Sequence, residues 1–190
     1  MTIPTKPLTL EEYLNYDDGT DTRYELIDGR LLEIAPVSDL ADRIASFLYA
    51  YFLNLGIPHY RLSMKTQIAV GGKLANVRQP DLMVLSDEVA IALENAKQRL
   101  ITHDMPPPTL VVEIVSPRQE EHDYRHKHTE YAGRHIPEFW ITDPINQKVT
   151  VLEWANGTYK EQVYQGNQAI LSPSFTDRTL TAAQMLVAKK

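Results

Sequence analysis

The stretch Thr-Leu-Val-Val-Glu-Ile-Val at residues 109–115 constrains this chain more than any other. It is the most apolar run in the sequence, and Ser116-Pro117 closes it. A short run of β-branched and aliphatic residues ended by a breaker predicts a central strand, buried on both faces. Glu113 lies inside it. A lone carboxylate taken out of water is costly and tends to bind a proton. It stays charged only beside a cation, a metal ion or strong hydrogen-bond donors. Glu113 is thus the most anomalous residue in the chain. A buried ion pair with an arginine or lysine is the structural alternative to a functional site.

Around that strand the sequence alternates helical and strand patterns. Thr9-Leu-Glu-Glu12 has the form of a capping box, so a short helix starts there. Residues 24–34 read as a hairpin turning at Asp28-Gly29. Ser38 caps a helix to about Leu55, with Leu40, Ile44, Phe47, Leu48, Tyr51 and Phe52 at helical spacing. Residues 60–70 read as one long strand with Gly71-Gly72 as its turn, and residues 81–85 as a short apolar strand. A polar helix or loop over 89–98 leads into Pro106-Pro-Pro108. Beyond the central strand come a helix over 119–133, strands at 139–142, 148–154 and 158–164, and a short helix at 181–187. The order predicts an α/β fold, a mixed sheet flanked by helices. With 190 residues, 43% of them hydrophobic, and no repeat or linker, residues 1–190 form one domain, and 1–8 are a loose lead-in.

Three further residues can join Glu113. Pro80-Asp81 opens the short apolar strand, a position where proline's missing donor does no harm. An aspartate and a glutamate on adjacent strands make a hard oxygen site for Mg²⁺ or Mn²⁺. Such an ion activates water and stabilises charge on a phosphodiester. In the following helix Tyr124, Lys127 and Tyr131 recur at helical spacing and should face the sheet. A lysine among inward aromatics is the second anomaly. It can reach the Glu113 strand, there to orient the attacking water or stabilise the phosphate. Asp123 is its i,i+4 neighbour.

These residues fall in a recognisable order. Tyr24-Glu-Leu-Ile-Asp-Gly29, Gln79-Pro-Asp81, Val111-Val-Glu-Ile-Val-Ser-Pro117, the Asp123…Lys127…Tyr131 spacing and Ile136-Pro-Glu-Phe-Trp-Ile-Thr-Asp-Pro144 together span most of the chain. In this arrangement the sequence resembles the Uma-like family of restriction-endonuclease-like proteins, common in cyanobacteria, within the PD-(D/E)XK nuclease superfamily. The resemblance implies a restriction-endonuclease-like fold. It also implies a metal held by Asp81, Glu113 and the backbone carbonyl of Ile114. It further implies a catalytic lysine two residues after the glutamate, where this chain has Val115. Residues 113 and 115 share a strand face, and valine cannot do a lysine's work. The resemblance implies that the lysine has moved to the helix, as Lys127. Glu25 resembles an accessory acid near the metal. Ala41-Asp42 stands where many relatives carry a histidine.

Each residue also has a structural reading. Pro-Asp is a common turn dipeptide. Lys127 can snorkel to water, and Glu25 can pair with Arg23 or Arg30 across the hairpin. His122 and His126 have a zinc-ligand spacing, but a solvated helix face explains them better. Trp140 and Trp154 read as core. The absence of cysteine excludes disulfides, thiolate zinc sites and cysteine nucleophiles. The N-terminus shows no apolar h-region, and no apolar run is long enough to span a bilayer, so a soluble cytoplasmic protein is expected. A net charge of −6 calls for a local basic patch if nucleic acid binds.

The expectation is a metal-dependent endonuclease that hydrolyses phosphodiester bonds in DNA. Asp81, Glu113, Lys127 and Glu25 would be catalytic, and the protein would act as a homodimer. The alternatives are a non-catalytic nuclease-fold protein that binds nucleic acid or a protein partner, and a metal hydrolase of small phosphorylated molecules.

Overall fold

The computed structural model describes residues 6–96, 98–116, 122–175 and 179–187, without the side chains of 122–124. In chain order the elements are α1 (Leu10–Leu14), β1 (Tyr24–Ile27), β2 (Arg30–Glu33), α2 (Asp39–Asn54), β3 (Leu62–Ser63), β4 (Gln67–Val70) and β5 (Asn76–Arg78). Then come β6 (Leu82–Val84), α3 (Asp87–Ala92), β7 (Leu100–Ile101), β8 (Leu110–Ile114), α4 (His122–Gly133), β9 (Glu138–Asp143), β10 (Lys148–Ala155), β11 (Thr158–Gln165) and α5 (Ala182–Val187).

Two mixed sheets form, where the sequence suggested one. A six-stranded sheet has the order β11-β10-β9-β8-β6-β3, and a five-stranded sheet the order β2-β1-β5-β4-β7. The expected long strand at 60–70 is broken: a 3-10 turn covers His59–Arg61, β3 joins the larger sheet and β4 the smaller. Its apolar content was right, but the chain changes sheets inside it. Ser63 Oγ accepts from Thr66 N–H at 3.0 Å at that crossing. β5 and β7, three and two residues long, carry too little pattern to be read in advance.

The apolar run becomes β8, interior to the six-stranded sheet and buried at all five positions. Its side chains alternate. Leu110, Val112 and Ile114 pack with Ile44, Leu48 and Phe52 of α2 and Met185 of α5. Val111 faces the other way, to a core holding Tyr131 of α4, Phe139 of β9 and Ile68 of β4. Glu113 shares the parity of Val111, so it points toward α4 and the second sheet. Trp140 fills the first core as expected, whereas Trp154 is only half-buried and stacks on His135 with centroids 5.2 Å apart.

The hairpin turns where the sequence placed it. Asp28 and Gly29 have φ of 46° and 74°, the pair of positive values a two-residue hairpin needs. Gly29 N–H donates to Ala75 O at 2.9 Å, tying the turn to the residue that leads into β5. A Cβ on Gly29 would lie 2.7 Å from Pro7 Cβ. Gly29→Ala should therefore cost more than about 1 kcal/mol, through φ strain and the clash together. The measurement is the urea midpoint, which should fall at unchanged slope.

Candidate active site

The sheet register brings the two acids together. β6 and β8 are antiparallel with Leu82 opposite Val112. Asp81, one residue earlier, is then level with Glu113, one residue later. Asp81 Oδ2 accepts the N–H of Ile114 at 2.7 Å, which fixes its carboxylate against the β8 backbone. The Pro-Asp pair thus opens the strand and also reaches across to the next.

Glu113 is 7% exposed. Lys127 Nζ donates to its Oε2 at 2.8 Å, and the Tyr131 hydroxyl donates to its Oε1 at 2.5 Å. Both donors come from one face of α4, four residues apart. Burial pushes the Glu113 carboxyl up to about 7, Lys127 opposes that rise and the charge of Asp81 adds to it. Burial and the neighbouring Glu113 raise the Tyr131 hydroxyl well above its ordinary range, so it remains a donor. The lysine is buried rather than snorkelled to water. Ion-pair and active-site readings of Glu113 therefore converge on Lys127. The side chain of Asp123, its expected i,i+4 neighbour, lies outside the described residues, as does that of Tyr124.

Glu25 stands at the same site but is held differently from either expectation. Neither Arg23 nor Arg30 is its partner. Its Oε2 accepts from Arg78 Nη1 at 3.1 Å and its Oε1 from the N–H of Gln79 at 2.9 Å. Arg78, 3% exposed, also forms a fork with Glu130 of α4 at 2.7 and 2.9 Å. Sequence reading missed this network. Its members are more than 50 positions apart, and nothing local marks Arg78 or Glu130. Their only sign is charge inside α4's inward face.

Glu25, Asp81, Glu113, Ile114, Val115 and Lys127 line one cavity of about 480 Å³, together with residues 32–38. Among the described residues Lys127 is the only lysine or arginine lining it, against four carboxylates, Glu25, Glu33, Asp81 and Glu113. Among the described residues no three His, Asp or Glu side chains gather as a metal cage. Two opposed carboxylates beside a backbone carbonyl could hold a hard ion that keeps most of its waters, as Mg²⁺ does. A closed structural zinc site needs four protein ligands and does not match.

The pattern that defines the Uma2 family, described as "Putative restriction endonuclease", matches residues 10–183. The chain belongs to the Uma2 family. The fold of this Uma2 chain also resembles the crystal structure of a "putative nuclease belonging to DUF820" from Anabaena variabilis ATCC 29413. The TM-score is 0.75 at 16% identity, over 96% of this chain and 99% of that one. At that identity the likeness establishes the fold, a mixed α/β nuclease-like architecture. No curated protein matches the chain. Among the described residues of this Uma2 chain no helix is long and apolar enough to cross a membrane.

Metal-free protein should carry a pH signature of Glu113. Between about pH 4.5 and about 7 the folded state keeps a proton that the unfolded chain has released. Stability from this group is full below about 4.5 and is lost as pH rises through about 7, by up to about 3 kcal/mol. Urea unfolding in EDTA at pH 5 and pH 8 measures the difference. Glu113→Gln should remove most of it, and an unchanged difference would contradict the assignment.

Proposed function

We propose that this chain is a metal-dependent endonuclease that hydrolyses phosphodiester bonds, with DNA as its substrate. Asp81, Glu113 and the carbonyl of Ile114 would hold Mg²⁺ or Mn²⁺. The ion would supply a polarised water and neutralise charge gathering on the phosphate. The observation that carries this reading is the 2.8 Å contact of Lys127 with Glu113. It puts a buried ammonium beside the acid pair although position 115 is valine.

The chain's own groups divide the work. The Ile114 N–H holds Asp81 in its orientation. Lys127 opposes the protonation that burial favours at Glu113, and its ammonium donates to the attacking water or a phosphate oxygen. Tyr131 pins the second Glu113 oxygen. Glu25 acts through position: it fixes the backbone of Gln79, two residues before Asp81. Enzymes of this kind often pair two sites to cut two strands, each site taking one strand, so this reading expects a homodimer in the cytoplasm.

The test is plasmid cleavage with Mg²⁺ or Mn²⁺, beside Asp81→Asn and an EDTA control. Cleavage by the wild type should drop at least about 100-fold in both. Equal cleavage by Asp81→Asn would sink the metal site. The cavity's size also suits a small phosphodiester, held through the metal instead of the acidic walls. Hydrolysis of bis(p-nitrophenyl) phosphate with intact plasmid would favour that second reading.

A further inference from the structure

The acidic cavity does not end at its own walls. Gln79 lines it and also lines a second concavity of about 290 Å³. That second one shares Lys65 and Arg99 with a third, of about 770 Å³. The three adjoin in series, with Gln79 as the first join and the Lys65–Arg99 pair as the second. We infer that this series is a path for single-stranded DNA leading to the site, a proposal that rests on the nuclease reading above.

Charge is the first argument. Arg23, Lys65 and Arg99 are exposed on the path. Among the described residues no ion pair occupies any of them. Four carboxylates share these walls and keep their charge, but three are held in place by other partners and do not take up these cations. Asp17 accepts from Gly19 N–H at 2.7 Å, Asp18 from the Tyr24 hydroxyl at 2.7 Å, and Asp87 pairs with Arg61 at 3.5 Å. Glu94 is the fourth. The available cations therefore suit phosphates, in a chain whose net charge is −6.

Aromatic surface is the second argument. Tyr16 lines the middle concavity, and Tyr60, 53% exposed, lines the outer one. An exposed tyrosine beside lysine and arginine is a stacking platform, and a base stacks on it only when unpaired. Each concavity has the volume of a small-ligand pocket, which fits nucleotides taken singly and not a duplex. Gln79 carries the third argument. Its backbone is locked by Glu25 and it stands between the site and the path, where its amide can touch the nucleotide next to the scissile phosphate.

The experiment is fluorescence anisotropy in EDTA, where no cleavage occurs, with a labelled 20-mer and the matching duplex. The proteins are wild type, Lys65→Glu/Arg99→Glu, Tyr60→Ala, and, as control, Lys148→Glu at the start of β10, which lines none of the three concavities. Wild type should bind the single strand at least 10-fold tighter than the duplex. The double variant should weaken single-strand binding at least 10-fold and flatten the salt dependence by about 1.4 log units per decade, for two lost phosphate contacts. Tyr60→Ala should weaken it about 5-fold or more, and the control should match wild type. Circular dichroism confirms that the variants fold. Preference for duplex, no binding, or equal binding by wild type and the double variant overturns the path. Binding as expected with no cleavage in Mg²⁺ leaves the path standing and removes the nuclease reading. Cleavage indifferent to the double variant does the reverse.

Discussion

Lys127→Met should reduce phosphodiester cleavage at least about 100-fold, the scale of losing a positioned cation or proton-transfer group at the reacting centre. Two effects contribute, and they separate by pH. Lys127 opposes the rise that burial imposes on Glu113. Without it Glu113 holds its proton to higher pH and the metal site weakens at neutrality. That part should be recovered at pH 9. The direct contribution to water or phosphate is not recovered at any pH, so a deficit should persist there. Lys127→Arg keeps the charge but presents a planar fork in place of a point donor. It should retain the wild-type pH profile at reduced rate. If Lys127→Met matched wild type in kcat and pH profile, the lysine would be a structural partner of Glu113 and nothing more. Stability should fall only modestly at pH 7. A buried pair that loses one member commonly costs about 3–5 kcal/mol, but Glu113 can escape most of that by protonating.

The parts of this site written in short-range pattern were legible in the sequence. Glu113 was conspicuous because a carboxylate interrupts a strand that is otherwise aliphatic. Its neighbours on β8 alternate between two cores, as period-2 geometry requires. The Asp28-Gly29 turn and the Thr9 and Ser38 caps formed where turn and capping chemistry put them. The inward lysine of α4 was legible for a related reason, being a cation on a line of aromatics. What escaped notice depends on distant pairing. The inward face of α4 holds Lys127, Glu130 and Tyr131, so it shows no apolar stripe. The helix itself was read, but hydrophobic periodicity does not mark Glu130 as buried or name its partner Arg78. The same holds for Glu138, wholly buried on β9 and held by Trp140, Ser172 and the N–H of Ser174. Two of its three partners lie 34 and 36 residues away and leave no mark near it.

Arg78→Leu should be the most destabilising single change in the chain, at about 3–5 kcal/mol. For a chain of this length that is a fall in Tm of about 6–20 °C. The guanidinium is shared by two carboxylates, Glu25 from β1 and Glu130 from α4. Removing it strands both in a poorly solvated place, unlike Lys127→Met, which strands one. Arg78 is held strongly protonated by these partners, Glu130 first and Glu25 next, against the opposing pull of burial. Three elements separate when it goes, and one of them is the helix that carries Lys127 and Tyr131. The origin of the loss can be isolated. Arg78→Leu with Glu25→Gln and Glu130→Leu removes the charges together, and such replacement of a whole buried network is often near neutral. Thermal unfolding of the triple variant should regain at least half of the single variant's loss. A triple variant no more stable than Arg78→Leu would mean that packing of the arginine stem, not its charge, holds α4 to the sheet. Cleavage separates the roles again. The triple variant should fold yet cleave poorly, because Gln79 and α4 lose the contacts that aim them at the Asp81–Glu113 pair.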